Sequence, residues 1–234
     1  MRPWRQERHM GGDGMKRQQG WGGGVMAKMV AALLTILGAV MTPAWAQGGP
    51  IRLVALGDSL TAGYGLPQSA AFPSVLERAL KARGHNVVIA NAGVSGDTAS
   101  GGLERLDWSV PEGTDGVILE LGANDMLRGV DPAVTRRALE AIITRLKQRG
   151  VPVMLAGMYA ARNLGPDYAR RFDAIYPELA QKHGLVLYPF FLEGVAGDRS
   201  LNLPDGLHPT AQGVERIVER ILPTVEAFLA RLRP

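Results

Sequence analysis

The chain has 234 residues, of which 46% are hydrophobic and 21% charged, a composition typical of globular proteins that excludes a disordered or collagen-like chain. It has no cysteine, which excludes disulfides, thiolate nucleophiles, iron–sulfur clusters and cysteine-ligated zinc. The formal charge of +4 comes from residues 1–46, because residues 47–234 hold 20 basic and 20 acidic residues. A domain without excess positive charge lacks the electrostatic basis for binding nucleic acid.

The N-terminal segment has the features of a secretory signal peptide. An apolar run over residues 30–40 follows Lys28, and the sequence then reaches an Ala-x-Ala site that ends at Ala46. A basic flank, a short apolar run and a small-residue site are typical of a leader that is cleaved after Ala46. We therefore expect residues 1–46 to be removed on export and residues 47–234 to form a single domain in the periplasm or outside the cell.

Two further expectations concern this leader. An uncleaved membrane anchor is the alternative, but the apolar run is well short of the ~20 residues that span a bilayer, and Pro43 interrupts its end. The region before Lys28 is long for a signal peptide and contains further methionines. We therefore expect translation to start downstream of residue 1, at Met15 or Met26.

From residue 50 onward, short apolar runs alternate with longer amphipathic stretches. The apolar runs predict five strands: Ile51–Leu56, Val87–Ala90, Gly116–Leu121, Val151–Ala156 and Leu185–Tyr188. The amphipathic stretches predict five helices: Phe72–Arg83, Thr98–Leu106, Asp131–Gln148, Asp167–His183 and Pro209–Leu232. Strands and helices that alternate in this way indicate βαβ units, and hence one α/β domain with a parallel sheet covered on both faces.

Polar, glycine-rich segments follow four of the predicted strands. They are GDSLTAG at residues 57–63, NAGVSGD at 91–97, GAND at 122–125 and, after the fifth strand, DGLHP at 205–209. In an open parallel sheet the reactive site lies outside the carboxyl ends of the strands. We therefore expect these four loops to meet at one rim.

Taken alone, each of these segments has an ordinary structural explanation. Ser59 could be a helix cap, Gly93 and Gly96 could be turn residues, and Asn124 could cap a turn. The first segment has no Lys followed by Ser or Thr, which excludes a Walker P-loop, and no glycine two places after Ser59, which excludes the nucleophile elbow of α/β-hydrolases.

Taken together, the segments offer the parts that acyl transfer needs. These are a nucleophilic hydroxyl, a base, a carboxylate that orients the base, and donors for the developing oxyanion. His9 lies in the leader, and His85 and His183 lie beside glycines that end helices. Only His208 lies on a rim loop, with Asp205 three residues before it.

These blocks resemble those of the SGNH, or GDSL-type, hydrolases, and most closely the branch of periplasmic thioesterases, lysophospholipases and arylesterases. The matching blocks are GDSL at residues 57–60, Gly93 within NAGVSGDT, Asn124 within GAND, and DGLHP, and the similarity covers nearly all of residues 51–232. The resemblance implies a flavodoxin-like three-layer α/β/α sandwich with a five-stranded parallel sheet of order 2-1-3-4-5, without cofactor or metal.

The same resemblance implies a serine esterase. Ser59 would be the nucleophile, His208 the general base and Asp205 its orienting acid. The backbone N–H groups of Ser59 and Gly93 and the side-chain amide of Asn124 would form the oxyanion hole. The implied substrates are small esters and thioesters, including aryl esters, short-to-medium acyl esters, acyl-CoA and lysophospholipids, hydrolysed through an acyl-enzyme by a monomer without nucleic acid or membrane anchoring.

One departure from the branch concerns the acyl groove. The loop after the fourth strand, residues 157–165, differs in part from the branch pattern but keeps Met158, Tyr159 and Leu164, which we expect to bind substrate. The segment 193–200 is short, so we expect an open groove without a large lid.

Three alternatives remain open at this point. A carbohydrate O-acetylesterase would share the same blocks, but the chain is only 6% aromatic, which gives few platforms for a sugar. A metal phosphoesterase could use Asp58, Asp97, Asp125 and His208 as ligands. A non-catalytic periplasmic binding module is the third, because a fold alone does not determine function.

Overall fold

The apolar runs of the sequence form a five-stranded, wholly parallel sheet in the order β2-β1-β3-β4-β5. Its strands are β1 (Ile51–Gly57), β2 (Val87–Gly93), β3 (Gly116–Glu120), β4 (Val153–Ala156) and β5 (Val186–Tyr188). The structure, a computed structural model, describes residues 49–232. The predicted three-layer α/β/α fold and strand order are confirmed, whereas the predicted leader 1–46, the cleavage site and the start sites lie outside the described residues and stay predictions.

Nine α-helices are described within residues 49–232. They are α1 (Ser59–Ala62), α2 (Phe72–Ala82), α3 (Ala99–Glu104), α4 (Leu106–Ser109), α5 (Ala123–Leu127), α6 (Pro132–Gln148), α7 (Pro166–Asp173), α8 (Ile175–His183) and α9 (Ala211–Leu232). In this part of the chain, no helix is long and apolar enough to cross a membrane.

The helices differ from the predicted ones in three respects. The helix predicted over Thr98–Leu106 ends at Glu104, and a separate helix, α4, follows it. The stretch predicted as one helix, Asp167–His183, is divided at Ala174, because Pro177 has no N–H to donate to the carbonyl of Asp173 and the helical ladder is interrupted there. The short helices α1 and α5 were not predicted, since one turn is too short to show a helical period.

The register of the central strands determines where the site is built. β3 is buried along its whole length and β1 almost entirely, which fits strands at the centre of a sheet covered on both faces. Gly57 at the end of β1 pairs with Gly93 of β2 on one side and with Glu120 of β3 on the other. The loops that follow these three strands therefore start side by side.

Candidate active site

Ser59 is held at the first position of helix α1, immediately after β1. Asp58 is the N-cap of this helix and its Oδ1 accepts a hydrogen bond from the N–H of Leu60 at 3.0 Å. A Cβ at Gly57 would lie 2.1 Å from Thr61 Oγ1, so only glycine fits where the chain turns from the strand into the helix. Ser59 is 8% exposed and is thus largely buried in this turn.

A chain of two hydrogen bonds connects Ser59 with His208 and Asp205. His208 Nε2 lies 2.9 Å from Ser59 Oγ, and His208 Nδ1 lies 2.7 Å from Asp205 Oδ2. With Nδ1 protonated toward the carboxylate, Nε2 is free to accept the proton of the serine hydroxyl. The three predicted residues, which are up to 149 positions apart in sequence, are thus brought together.

Asp205 is kept ionised by its own loop. Hydrogen bonds from the backbone N–H and the side chain of His208, and from the N–H of Leu207, lower the pKa of Asp205 to about 2. The loop itself is closed by an antiparallel bridge between Asn202 and Pro209 and by a 2.7 Å hydrogen bond from Leu203 N–H to the carbonyl of His208. These contacts fix the imidazole relative to the sheet.

Two of the expected oxyanion donors are free to act. No acceptor for the N–H of Ser59 is found among residues 49–232. The side chain of Asn124, on α5, donates one amide hydrogen to Asp58 Oδ2 at 3.0 Å, which orients the amide and leaves its second hydrogen available.

The third expected donor, Gly93, is already engaged. Its N–H donates to Asn91 Oδ1 at 2.9 Å, and a Cβ at Gly93 would lie 2.2 Å from the backbone nitrogen of Ala62, so the residue packs under α1. Gly96, three residues later, has a φ of +84° in a turn closed by a hydrogen bond from Asp97 N–H to the carbonyl of Val94. Within the described part of the chain its N–H has no acceptor.

Arg128 holds this turn in place. Its Nη2 donates to the carbonyl of Gly96 at 2.7 Å, which ties the segment after β2 to the end of α5. Because α5 also carries Asn124, the turn and the amide belong to one hydrogen-bonded unit. Sequence reasoning did not single out the N–H of Gly96, since the glycines of one turn segment cannot be told apart by residue type.

Two buried carboxyl groups lie beneath Ser59. Burial raises the pKa of Asp58 to about 6, although hydrogen bonds from Leu60 and Asn124 oppose the rise. Burial, followed by the charge of Asp58, raises the pKa of Glu120 well above its ordinary value. Glu120 is 1% exposed, and its Oε1 has no hydrogen-bond partner in the part of the chain that the structure describes. Sequence reasoning missed this residue, although a lone Glu in the apolar run GVILEL was the available signal.

The three side chains expected to bind substrate have different environments. Tyr159 is exposed and stacks on Phe190 with ring centroids 4.9 Å apart, and Leu164 is partly buried against the core. Met158 is only 3% exposed and belongs to the hydrophobic core. Met158 thus packs in the interior, and substrate contact by Met158, Tyr159 and Leu164 stays a prediction.

Five exposed apolar side chains lie on the segments that carry or adjoin the site residues. Four of them lie on the segments that follow strands β1 to β4, and the fifth lies on the loop that carries His208. This apolar rim consists of Tyr64, Val94, Leu127, Tyr159 and Leu207. Such a surface suits the hydrocarbon parts of an ester better than a hydrophilic sugar.

The carboxylates considered as metal ligands are engaged in other bonds. Asp97 accepts from Arg105 Nε at 2.5 Å, and Asp125 accepts from the N–H of Ala99 at 2.9 Å and from Thr135 Oγ1 at 3.0 Å. Among residues 49–232, no three His or carboxylate groups lie together as metal ligands would.

Residues 55–216 match the family model of the GDSL-like lipases and acylhydrolases. The chain belongs to this family. The "Esterase TesA" of Pseudomonas aeruginosa is 36% identical over 184 residues, covering 78% of this chain and 92% of that protein. An "Arylesterase" of Vibrio mimicus is 40% identical over 169 residues (72% and 84%), and the Escherichia coli protein named "Thioesterase 1/protease 1/lysophospholipase L1" is 37% identical over 158 residues (67% and 74%).

Solved structures agree with this membership. AlinE4, described as an SGNH-hydrolase family esterase, is 45% identical, with a TM-score of 0.66 over 81% of this chain and all of that one. A crystal structure of TesA is 36% identical, with a TM-score of 0.72 over 75% of this chain and 98% of the other. This GDSL-like hydrolase is thus an enzyme that hydrolyses carboxylic esters.

Proposed function

We propose that the enzyme hydrolyses small aryl esters and short-to-medium acyl esters through an acyl-enzyme on Ser59. The observation that supports this most is the continuous hydrogen-bonded chain from Asp205 through His208 to Ser59 Oγ. In the first step Ser59 Oγ attacks the carbonyl carbon while His208 Nε2 takes the hydroxyl proton. The bond to the leaving oxygen or sulfur then breaks, and the same proton passes to the leaving group.

The second step returns the enzyme to its starting state. Water attacks the acyl carbon, His208 takes one of its protons, and the acid leaves as Ser59 Oγ recovers that proton. Throughout, Asp205 stays a carboxylate and holds the imidazole, because its own pKa is lowered to about 2.

For the oxyanion hole we propose the N–H groups of Ser59 and Gly96 together with the amide of Asn124. Gly96 replaces the expected Gly93 because the N–H of Gly93 is bonded to Asn91 Oδ1. Replacing Asn91 by Ala tests this choice by releasing that N–H. With Gly96 as the donor, kcat stays within about twofold of wild type, whereas an increase in kcat would indicate that Gly93 is the donor and that Asn91 competes for it.

We base the proposed substrate range on the exposed apolar side chains of the rim. Nothing in the rim provides a cluster of cations for the phosphates of CoA, since Arg128 bonds the carbonyl of Gly96 and Arg162 pairs with Asp173. We therefore propose that simple esters are better substrates than acyl-CoA. All the groups of the site come from one chain, which supports action as a monomer, and the leader sequence supports a periplasmic or secreted location.

The test is turnover of p-nitrophenyl esters with acyl chains of two to sixteen carbons, measured beside acyl-CoA and lysophospholipid. Short and medium aryl esters should give the highest kcat/KM, and Ser59→Ala should remove the activity. Full activity in the Ser59→Ala variant would exclude the acyl-enzyme.

A further inference from the structure

Tyr64 covers one face of the imidazole of His208. The centroids of the two rings lie 4.4 Å apart and their planes are inclined by 34°. The Tyr64 side chain is nevertheless 52% exposed, so a large part of its ring is free to contact another group. A half-exposed aromatic ring in contact with the general base of an esterase borders the space that a substrate enters.

The backbone fixes Tyr64 to the nucleophile. Gly63 ends α1 with a φ of +82°, which turns the chain back toward Ser59. The N–H groups of Gly63 and Tyr64 both donate to the carbonyl of Ser59 at 3.1 Å. A Cβ at Gly63 would lie 2.6 Å from Ala71 Cβ, so the turn is packed as well as bonded. Tyr64 therefore keeps its position relative to the reacting atoms.

Acyl transfer determines which half of an ester lies beside Tyr64. The protonated imidazole gives its proton to the leaving oxygen, which must come within hydrogen-bond distance of His208 Nε2, roughly 2.6–3.2 Å. The alcohol half of the ester is bonded to that oxygen, whereas the carbonyl oxygen points toward the donors of Ser59 and Asn124. The alcohol half is thus the part of the substrate that meets the free surface of Tyr64.

We propose that Tyr64 determines specificity for the alcohol half of the ester and favours a flat aromatic leaving group. This inference rests on the proposed function, since it takes His208 as the acid that protonates the leaving oxygen. An aromatic ring stacks on Tyr64 with a gain of roughly three- to tenfold in kcat/KM over a saturated ring of similar size. Tyr64 is not needed to orient His208, because the 2.7 Å contact of Nδ1 with Asp205 does so.

The test compares benzyl acetate with cyclohexylmethyl acetate. Both esters give the same acetyl-enzyme, so deacylation is common to them, and their alcohols have similar size and acidity. The quantity measured is the ratio of kcat/KM for benzyl to that for cyclohexylmethyl acetate. Tyr64→Ala is compared with Tyr64→Phe, which keeps the ring, and with Trp108→Ala, which removes an aromatic side chain that is 73% exposed on α4.

Tyr64→Ala should lower this ratio roughly three- to tenfold, while Tyr64→Phe and Trp108→Ala keep the wild-type ratio. An unchanged ratio in Tyr64→Ala would overturn the proposal. An equal fall in kcat/KM for both esters would also overturn it, because a residue that only positions His208 affects every ester alike. Failure of the proposed function has a different signature, namely that Ser59→Ala still hydrolyses both acetates.

Discussion

The carboxyl group of Glu120 accepts a 2.8 Å hydrogen bond from the hydroxyl of Thr61, which connects the end of β3 with the helix that carries Ser59. Glu120 lies opposite Gly57 in the sheet register, directly below the turn from β1 into α1. The pKa of Glu120 is raised, first by burial and then by the neighbouring Asp58, so the folded chain disfavours the ionised form of this carboxyl group next to the helix of the nucleophile.

The raised pKa of Glu120 predicts a pH dependence of stability. Because the pKa of Glu120 is higher in the folded chain than in the unfolded one, the folded state binds more protons, and its contribution to stability is lost as pH rises above its ordinary pKa of 4.5. Glu120→Gln removes this loss. The free energy of unfolding of Glu120→Gln minus that of wild type should therefore increase between pH 4 and 7, by at most about 1.4 kcal/mol per pH unit.

The measurement is urea unfolding at several pH values. Glu104→Gln, which neutralises an exposed carboxylate on α3, serves as the matched control and should follow wild type. If Glu120→Gln also followed wild type across this range, Glu120 would be ionised in the folded protein and the account of the buried pair would be wrong.

Much of the fold follows from the sequence, since β1 and β3 are short continuous apolar runs and α6 has the spacing of apolar residues typical of an amphipathic helix. The Asp205 to His208 segment was also predictable, because one rim His with a nearby carboxylate distinguishes it from His85 and His183. The features that sequence reasoning did not identify depend on three-dimensional contacts. The burial of Met158 and the contact of Tyr64 with His208 depend on packing between distant segments. The hydrogen bond that the N–H of Gly93 donates to Asn91 Oδ1 is local, but it depends on the direction of one side chain, which the sequence does not show.

The hydrogen-bonded chain predicts that its members act as a unit. Ser59→Ala and His208→Ala should each remove most of the ester turnover, and the double variant should be scarcely slower than either single variant. Steady-state kcat for p-nitrophenyl acetate provides the comparison. His208→Ala retaining more than about a tenth of wild-type kcat would contradict the role of His208 as the general base.

Asn124→Ala should lower kcat by ~10² to 10³ with little change in KM, because the amide stabilises charge that develops mainly in the transition state. The change also removes the hydrogen bond to Asp58. Asp58→Asn is the comparison: its single oxygen can accept from Asn124 only at the expense of the bond from the N–H of Leu60, but the Asn124 amide is retained, so the loss of kcat should be smaller. A raised KM with unchanged kcat in Asn124→Ala would make Asn124 a substrate-positioning residue.

Acyl-CoA should be a poorer substrate than an aryl ester with the same acyl chain. Three arginines on the helices form salt bridges with carboxylates and therefore do not make a cluster of free cations for phosphate. The pairs are Arg136 with Glu178, Arg170 with Asp167 and Arg171 with Asp131. The comparison is kcat/KM for both substrates at low and high salt. A preference for acyl-CoA that falls as salt is added would instead indicate an electrostatic site for CoA.

The most direct test of the central claim is the mass of the peptide that contains Ser59 after treatment with a serine-directed organophosphate. The account predicts one covalent adduct per chain, on Ser59 Oγ, with loss of esterase activity in proportion to labelling and with much slower labelling of the His208→Ala variant. An adduct on a different residue, or full esterase activity in protein whose Ser59 is completely modified, would contradict it.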